Sequence, residues 1–134
     1  MNQRAALISG AARGIGRATA LELARRGNAV AVGFRERSDA ADEVVAEIQR
    51  GGGTAFALKL DVTDPAACDA AAEVVRERFG RLDILVNNAG AADESPALAM
   101  SDAAWDRVLR ACLTGAFQLA RACAKPMVLG RWGR

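Results

Sequence analysis

Ser9-Gly10-Ala11-Ala12-Arg13-Gly14-Ile15-Gly16 decides the fold, because an apolar run, Ala5-Ala6-Leu7-Ile8, precedes it and an Ala/Leu-rich segment with helical spacing follows. Three glycines at a strand-to-helix junction let the backbone turn tightly and approach a ligand closely. They also aim the first amides of the helix outward. Such an end carries unpaired N–H groups and a positive dipole, so a pyrophosphate binds there without a lysine. The spacing is G-x-x-x-G-x-G rather than the commoner G-x-G-x-x-G, so the glycines need the context of the rest of the chain.

Working outward, the first strand spans about Arg4 to Ser9, short, continuous and ended by turn residues. The helix after it begins near Gly14. Ile15, Ala18, Leu21 and Ala24 recur at helical spacing, Glu22 can pair with Arg26, and Gly27-Asn28 supplies the stop. A second strand is Ala29 to Phe34. Ser38 or Asp39 caps the next helix, whose Ala41, Val44, Val45 and Ile48 form one stripe before Gly51-Gly52-Gly53. Thr54 to Leu60 reads as a third strand. Asp64 then caps a helix with Pro65 at its first position and Gly80 at its close, and Ala71, Val74, Val75 and Phe79 face the core. Leu82 to Val86 is the fourth strand. A polar loop reaches Met100, and Ser101 caps a last helix running to about Leu129. Trp105, Val108, Leu109, Cys112, Ala116 and Ala120 are expected along its packed face, and Pro126 should kink or shorten it.

Strands alternating with helices predict right-handed crossovers and a single α/β domain over residues 1–134, a doubly wound parallel sheet covered on both faces. The chain has 134 residues, 51% of them hydrophobic, enough for one core. Lys+Arg 18 against Asp+Glu 16 leaves a net charge of +2, which gives neither a nucleic-acid footprint nor a polybasic membrane patch. No apolar run approaches the ~20 residues of a membrane span, so a cytoplasmic location is expected. Cys68, Cys112 and Cys123 lack metal-ligand or C-x-x-C spacing and read as small buried residues. The chain contains no histidine and no tyrosine, which excludes hydrolase triads and a tyrosine proton donor within it.

With strand before and helix after, the glycine turn points to dinucleotide binding. A free ribose 2′-hydroxyl is usually met by an acidic side chain about 20 residues after the glycines. Here Arg35 and Arg37 stand at that place with Arg13 inside the turn, and guanidinium forks suit a 2′-phosphate. NADP(H) is preferred over NAD(H), although Glu36 could accept from a 2′-hydroxyl. Asp61-Val62 ends the third strand, where Asp61 could accept from the adenine amine or simply cap the turn with Thr63 and Asp64. Asn87-Asn88-Ala89-Gly90 ends the fourth, beside the crevice, as a ligand-touching backbone or an ordinary turn.

Ser9-Gly10-x-x-x-Gly14-Ile15-Gly16, Asp61-Val62 and Asn87-Asn88-Ala89-Gly90 together resemble the short-chain dehydrogenase/reductase family over the whole chain. The glycine turn and the helix from Trp105 to Phe117 are most similar to its 3-oxoacyl-[acyl carrier protein] reductase branch. The resemblance implies a Rossmann-type fold with its strands in the order 3-2-1-4, and hydride transfer between a nicotinamide cofactor and a carbonyl or alcohol, with a small-molecule carbonyl or acyl substrate. It implies that Gly10, Gly14, Ile15 and Gly16 cradle the pyrophosphate, Asp61 and Val62 hold adenine, and Asn88, Ala89 and Gly90 lie along the cofactor. Cys112 stands where the family places an asparagine that helps hold a proton-relay water. The family's catalytic serine and Tyr-x-x-x-Lys pair would follow Gly130-Arg131-Trp132-Gly133-Arg134, where a fifth strand would start. The expectation is thus the cofactor-binding part of a reductase, with no catalytic residue and no turnover by itself. The alternatives are a non-catalytic nucleotide-binding module or an inactive remnant, completed by a partner or by self-association. An uncovered fourth strand predicts a homo-oligomer or an aggregation-prone chain.

Overall fold

A computed structural model describes residues 3–134. Four parallel strands, β1 (Ala5–Ile8), β2 (Ala29–Phe34), β3 (Ala55–Lys59) and β4 (Ile84–Val86), form one sheet in the order β3-β2-β1-β4. The helices are α1 (Gly14–Arg25), α2 (Ser38–Arg50), α3 (Pro65–Phe79), α4 (Asp102–Leu109) and α5 (Gly115–Leu129), the last two joined by a π-helical turn, Arg110–Thr114.

Successive side chains on a strand point to opposite faces, and this alternation builds two cores. Ala5, Leu7 and Ala31 face α3 and α5, packing with Cys68, Ala71, Val75, Leu119 and Cys123. Ile8, Val30 and Val32 face the other way, with Ala20, Ala41, Val44 and Ile48 of α1 and α2. Covered on both sides, β1 and β2 are apolar throughout. Burial pushes the Cys68 thiol up to about 11 and the Cys123 thiol to about 12, so both are packing groups.

Several expectations need correction. Ile15 and Ala18 lie on the outer side of α1, with Ile15 80% exposed, because the close face is made by Gly16 and Ala20. Neither Ser38 nor Asp39 caps α2; Arg37 precedes its first residue without a side-chain cap, and its guanidinium engages Asp39 instead. The buried side of the last helical segment is Ala111, Gly115, Leu119 and Cys123, not the stripe expected from Trp105 to Ala120. The π-helical turn accounts for this: its wider winding breaks the 3.6-residue phase, and small residues then face the sheet. Gly115 has no room for a side chain, since a Cβ would stand 2.7 Å from Val62 Cγ2. Pro126 lies inside α5, which continues only to Leu129.

At the amino end of the sheet, β4 begins at Ile84 rather than Leu82 because Asp83 is used otherwise. Its buried carboxylate accepts from the Ala5 amide at 2.9 Å and pairs with the Arg81 guanidinium at 2.6 and 2.8 Å. Burial would raise its pKa, but these bonds prevail and hold it below the usual range. Nor is the outer edge of β4 bare: the Arg134 amide donates to Asp83 O and the Leu85 amide to Arg134 O, each at 2.9 Å. That pattern is one rung of parallel pairing beside Ile84. Arg4 lies over the Trp132 ring at 3.7 Å and fastens the same end.

Candidate dinucleotide site

The carboxyl ends of the strands gather the glycine turn, Arg35, Asp61 and Asn87 to Gly90 on one side of the molecule, the place where an open parallel sheet accepts a ligand. Ser9 and Asn88 join the two central loops. The Ser9 hydroxyl accepts from the amides of Asn88 and Ala89 at 3.0 and 2.9 Å. Asn88 Nδ2 donates to the carbonyls of Ser9 and Gly10 at 3.1 and 2.9 Å. Both side chains are thereby committed to scaffolding, and what they can offer a ligand is the shape of the loops they hold.

The three glycines do different work. Gly10 sits at φ +62° with Ala89 Cα only 3.1 Å from where a Cβ would be. Gly16 admits no side chain, because a Cβ would fall 2.3 Å from Gly10 O and 2.5 Å from Asn88 Nδ2. Gly14 has φ +57° and nothing within 4 Å of the same point. It is required by its left-handed backbone, and the space beside it is open.

Above this packed base the start of α1 is unfinished. Arg13 precedes it without a side-chain cap, and its first turn holds no acidic residue. The first amide in the α-helical ladder is that of Arg17, donating to Arg13 O. The amides of Gly14, Ile15 and Gly16 have no partner among the described residues, a donor set that fits a phosphate. Exposed Ile15 and Arg13 flank it.

At the adjacent strand end, Arg35 pairs with Glu36 at 3.0 Å and Arg37 with both oxygens of Asp39 at 3.1 Å. Arg13 makes no ion pair among the described residues. Asp61 Oδ1 accepts from Thr63 Oγ1 at 2.7 Å and Thr63 N at 2.9 Å, and these bonds lower its pKa. The capping role is therefore real, and Oδ2 remains without a protein partner among the described residues. Val62 is buried with its side chain against Gly115 and can present only backbone.

Two features escaped sequence reasoning. Cys112 is exposed rather than core-packed: its Sγ donates to Ala91 O at 3.2 Å and accepts from Ala91 N at 3.4 Å, clasping the loop after Gly90 to the π-helical turn. No pattern in the sequence announces that clasp. Gly33 lets β2 approach the glycine turn, with its carbonyl accepting from the Ala11 amide at 2.7 Å; a glycine inside an otherwise apolar strand was the available signal.

The family model for short chain dehydrogenase matches residues 4–134. A 3-oxoacyl-[acyl-carrier-protein] reductase from Synechocystis is 40% identical over 134 residues, covering 100% of this chain and 54% of that protein. The reductase of the same name from Escherichia coli is 38% identical over 129 residues, covering 96% and 51%. A Sinorhizobium meliloti structure assigned as a short-chain alcohol dehydrogenase superposes with a TM-score of 0.93 at 39% identity, covering 99% of this chain and 52% of that one. The chain thus spans about half the length of the relatives it matches.

Proposed function

The chain belongs to the short-chain dehydrogenase family, and from that premise we propose that these residues form the NADP(H)-binding part of an oxidoreductase. The observation that carries this reading is the start of α1, where three amides above a glycine base have no partner, and no carboxylate competing for them, among the described residues. Gly10, Gly14, Ile15 and Gly16 would hold the pyrophosphate, Ser9 and Asn88 keeping the turn in shape. Asp61 Oδ2 and the Val62 backbone would meet adenine, and Asn88, Ala89 and Gly90 would lie along the dinucleotide. Arg13 and Arg35 would take the 2′-phosphate, which favours NADP(H) over NAD(H).

When bound, NADPH supplies a hydride to a carbonyl carbon; the 3-oxoacyl reductases among its relatives make an acyl carbonyl the preferred substrate class. Nothing in the chain's own inventory protonates the resulting alkoxide through histidine or tyrosine, since neither residue occurs. These residues alone should bind cofactor without ketone-dependent oxidation of it. Three free thiols suit a reducing, cytoplasmic setting, and no described helix is long and apolar enough to cross a membrane.

Self-association belongs to the same reading. Trp105, Leu109, Leu113 and Phe117 recur four residues apart through α4 and the turn into α5, with Trp105 58% and Phe117 60% exposed. Such a row is a large apolar patch for a monomer and suits a second copy. Sedimentation should show a dimer or higher species that Phe117→Glu dissociates; a wild-type monomer at micromolar concentration would contradict it.

The cofactor assignment is tested by NADPH fluorescence on the wild-type chain and Arg35→Gln. Saturable binding is expected, weakened about tenfold by the substitution, as for loss of a charged hydrogen bond. A titration without saturation would overturn it.

A further inference from the structure

We infer that the end of α5 and the turn after it form a peripheral membrane-binding surface, which seats Val128 and Leu129 in the interface of an anionic bilayer and sets arginines against its headgroups. The net charge of +2 averages two unlike parts of the chain. All sixteen acidic residues lie before Arg107, where they outnumber twelve cations, whereas the segment from Arg107 to Arg134 carries six cations and no acidic residue. Arg121, Lys125, Arg131 and Arg134 enter no ion pair among the described residues. Arg4, just before β1, joins them, stacked on Trp132 at 3.7 Å and likewise unpaired. Glu73 of α3 feels the Lys125 charge but is already held by Arg76.

At this cationic end the fold turns two large aliphatic side chains to the outside. Val128 and Leu129 are each 74% exposed, and Trp132 beside them is partly exposed. The negative end of the helix dipole accounts for Arg131. It does not account for the aliphatic pair, which gains nothing from water. Arg131 also stands at φ +54°, a left-handed backbone in which glycine is less strained, and its guanidinium has no ion-pair partner to compensate. Aliphatic side chains among arginines, with an indole alongside, suit the headgroup region of an anionic bilayer. A second copy of the chain fits this end less well, because a two-fold contact through it brings Arg131 and Arg134 against their own equivalents. No described helix is long and apolar enough to cross a bilayer, so the contact is one of surface seating.

The experiment is flotation of the 134-residue chain with vesicles of equal phosphatidylglycerol and phosphatidylcholine, and with vesicles of phosphatidylcholine alone. The chain should float with the anionic vesicles only and leave them as sodium chloride is raised. Val128→Ser with Leu129→Ser should weaken partitioning about tenfold, and Arg131→Gln with Arg134→Gln about thirtyfold. These side chains are exposed, so the thermal midpoint should hold; should the double serine variant lose it, Leu129→Ser alone replaces it. Absence of flotation by the wild-type chain, equal flotation with neutral vesicles, or flotation unchanged by the serine substitutions would overturn the inference. A wild-type chain that does not float but self-associates through Val128 and Leu129 would overturn it in favour of a second copy.

Discussion

Helices α1 and α3 both start from the carboxyl edge of the sheet, yet their first turns are finished in opposite ways. At α3, Asp64 Oδ1 accepts from the Ala66 amide at 3.0 Å and Pro65 brings no amide at all, so little donor capacity is left. At α1, Arg13 caps nothing and Gly14, Ile15 and Gly16 keep their amides free among the described residues. A finished end stabilises the protein by itself, whereas an unfinished one gives up that stability and gains an anion site. The same chain carries both endings, and in the proposed reading the closed one is scaffold and the open one the site.

Breaking the glycine base should have the largest effect. Gly16→Ala puts a Cβ 2.3 Å from Gly10 O, where backbone must move, and should destabilise by about 3 kcal/mol in urea unfolding while abolishing NADPH binding. Gly14→Ala meets no atom within 4 Å and should cost about 1 to 2 kcal/mol from its left-handed backbone alone. Equal losses at the two positions would contradict the division between packing and conformation.

Exchanging the two endings sharpens the contrast further. Arg13→Asp supplies α1 with the cap that α3 already has and removes a phosphate-facing cation. It should raise thermal stability by about 1 kcal/mol while weakening NADPH at least about tenfold. Asp64→Ala should lose about 1 kcal/mol of stability with NADPH binding unchanged. A cap at Arg13 that stabilises the protein without weakening NADPH would remove the reason for leaving α1 open.

The fold was largely readable because its signals are local. Ala29 to Phe34 is apolar and short between charged neighbours, and Asp64-Pro65 and Ser101 carry cap chemistry in the residue itself, so these boundaries agree with the structure. The family followed from motifs at three strand ends and is supported along residues 4–134. What stayed hidden depends on the third dimension. The packed face from Ala111 to Cys123 follows a π-helical turn, and no residue of Arg110 to Thr114 is peculiar to that winding. Leu82 to Val86 reads as one strand until the Ala5 amide, 78 positions away, is found on the Asp83 carboxylate. The glycine turn marks the place of the proposed site, and the geometry divides its residues: Ser9 and Asn88 hold the loops, while the amides of Gly14 to Gly16 have no partner among the described residues.

The division between α1 and α3 is tested most directly by amide proton–nitrogen correlation spectra of the chain during an NADPH titration. The Gly14, Ile15 and Gly16 resonances should move together and saturate at one affinity, while the capped Ala66 and Ala104 amides stay in place. Saturating shifts at Ala66 as large as those at Gly14, or none at Gly14 to Gly16, would contradict a site built on the open start of α1.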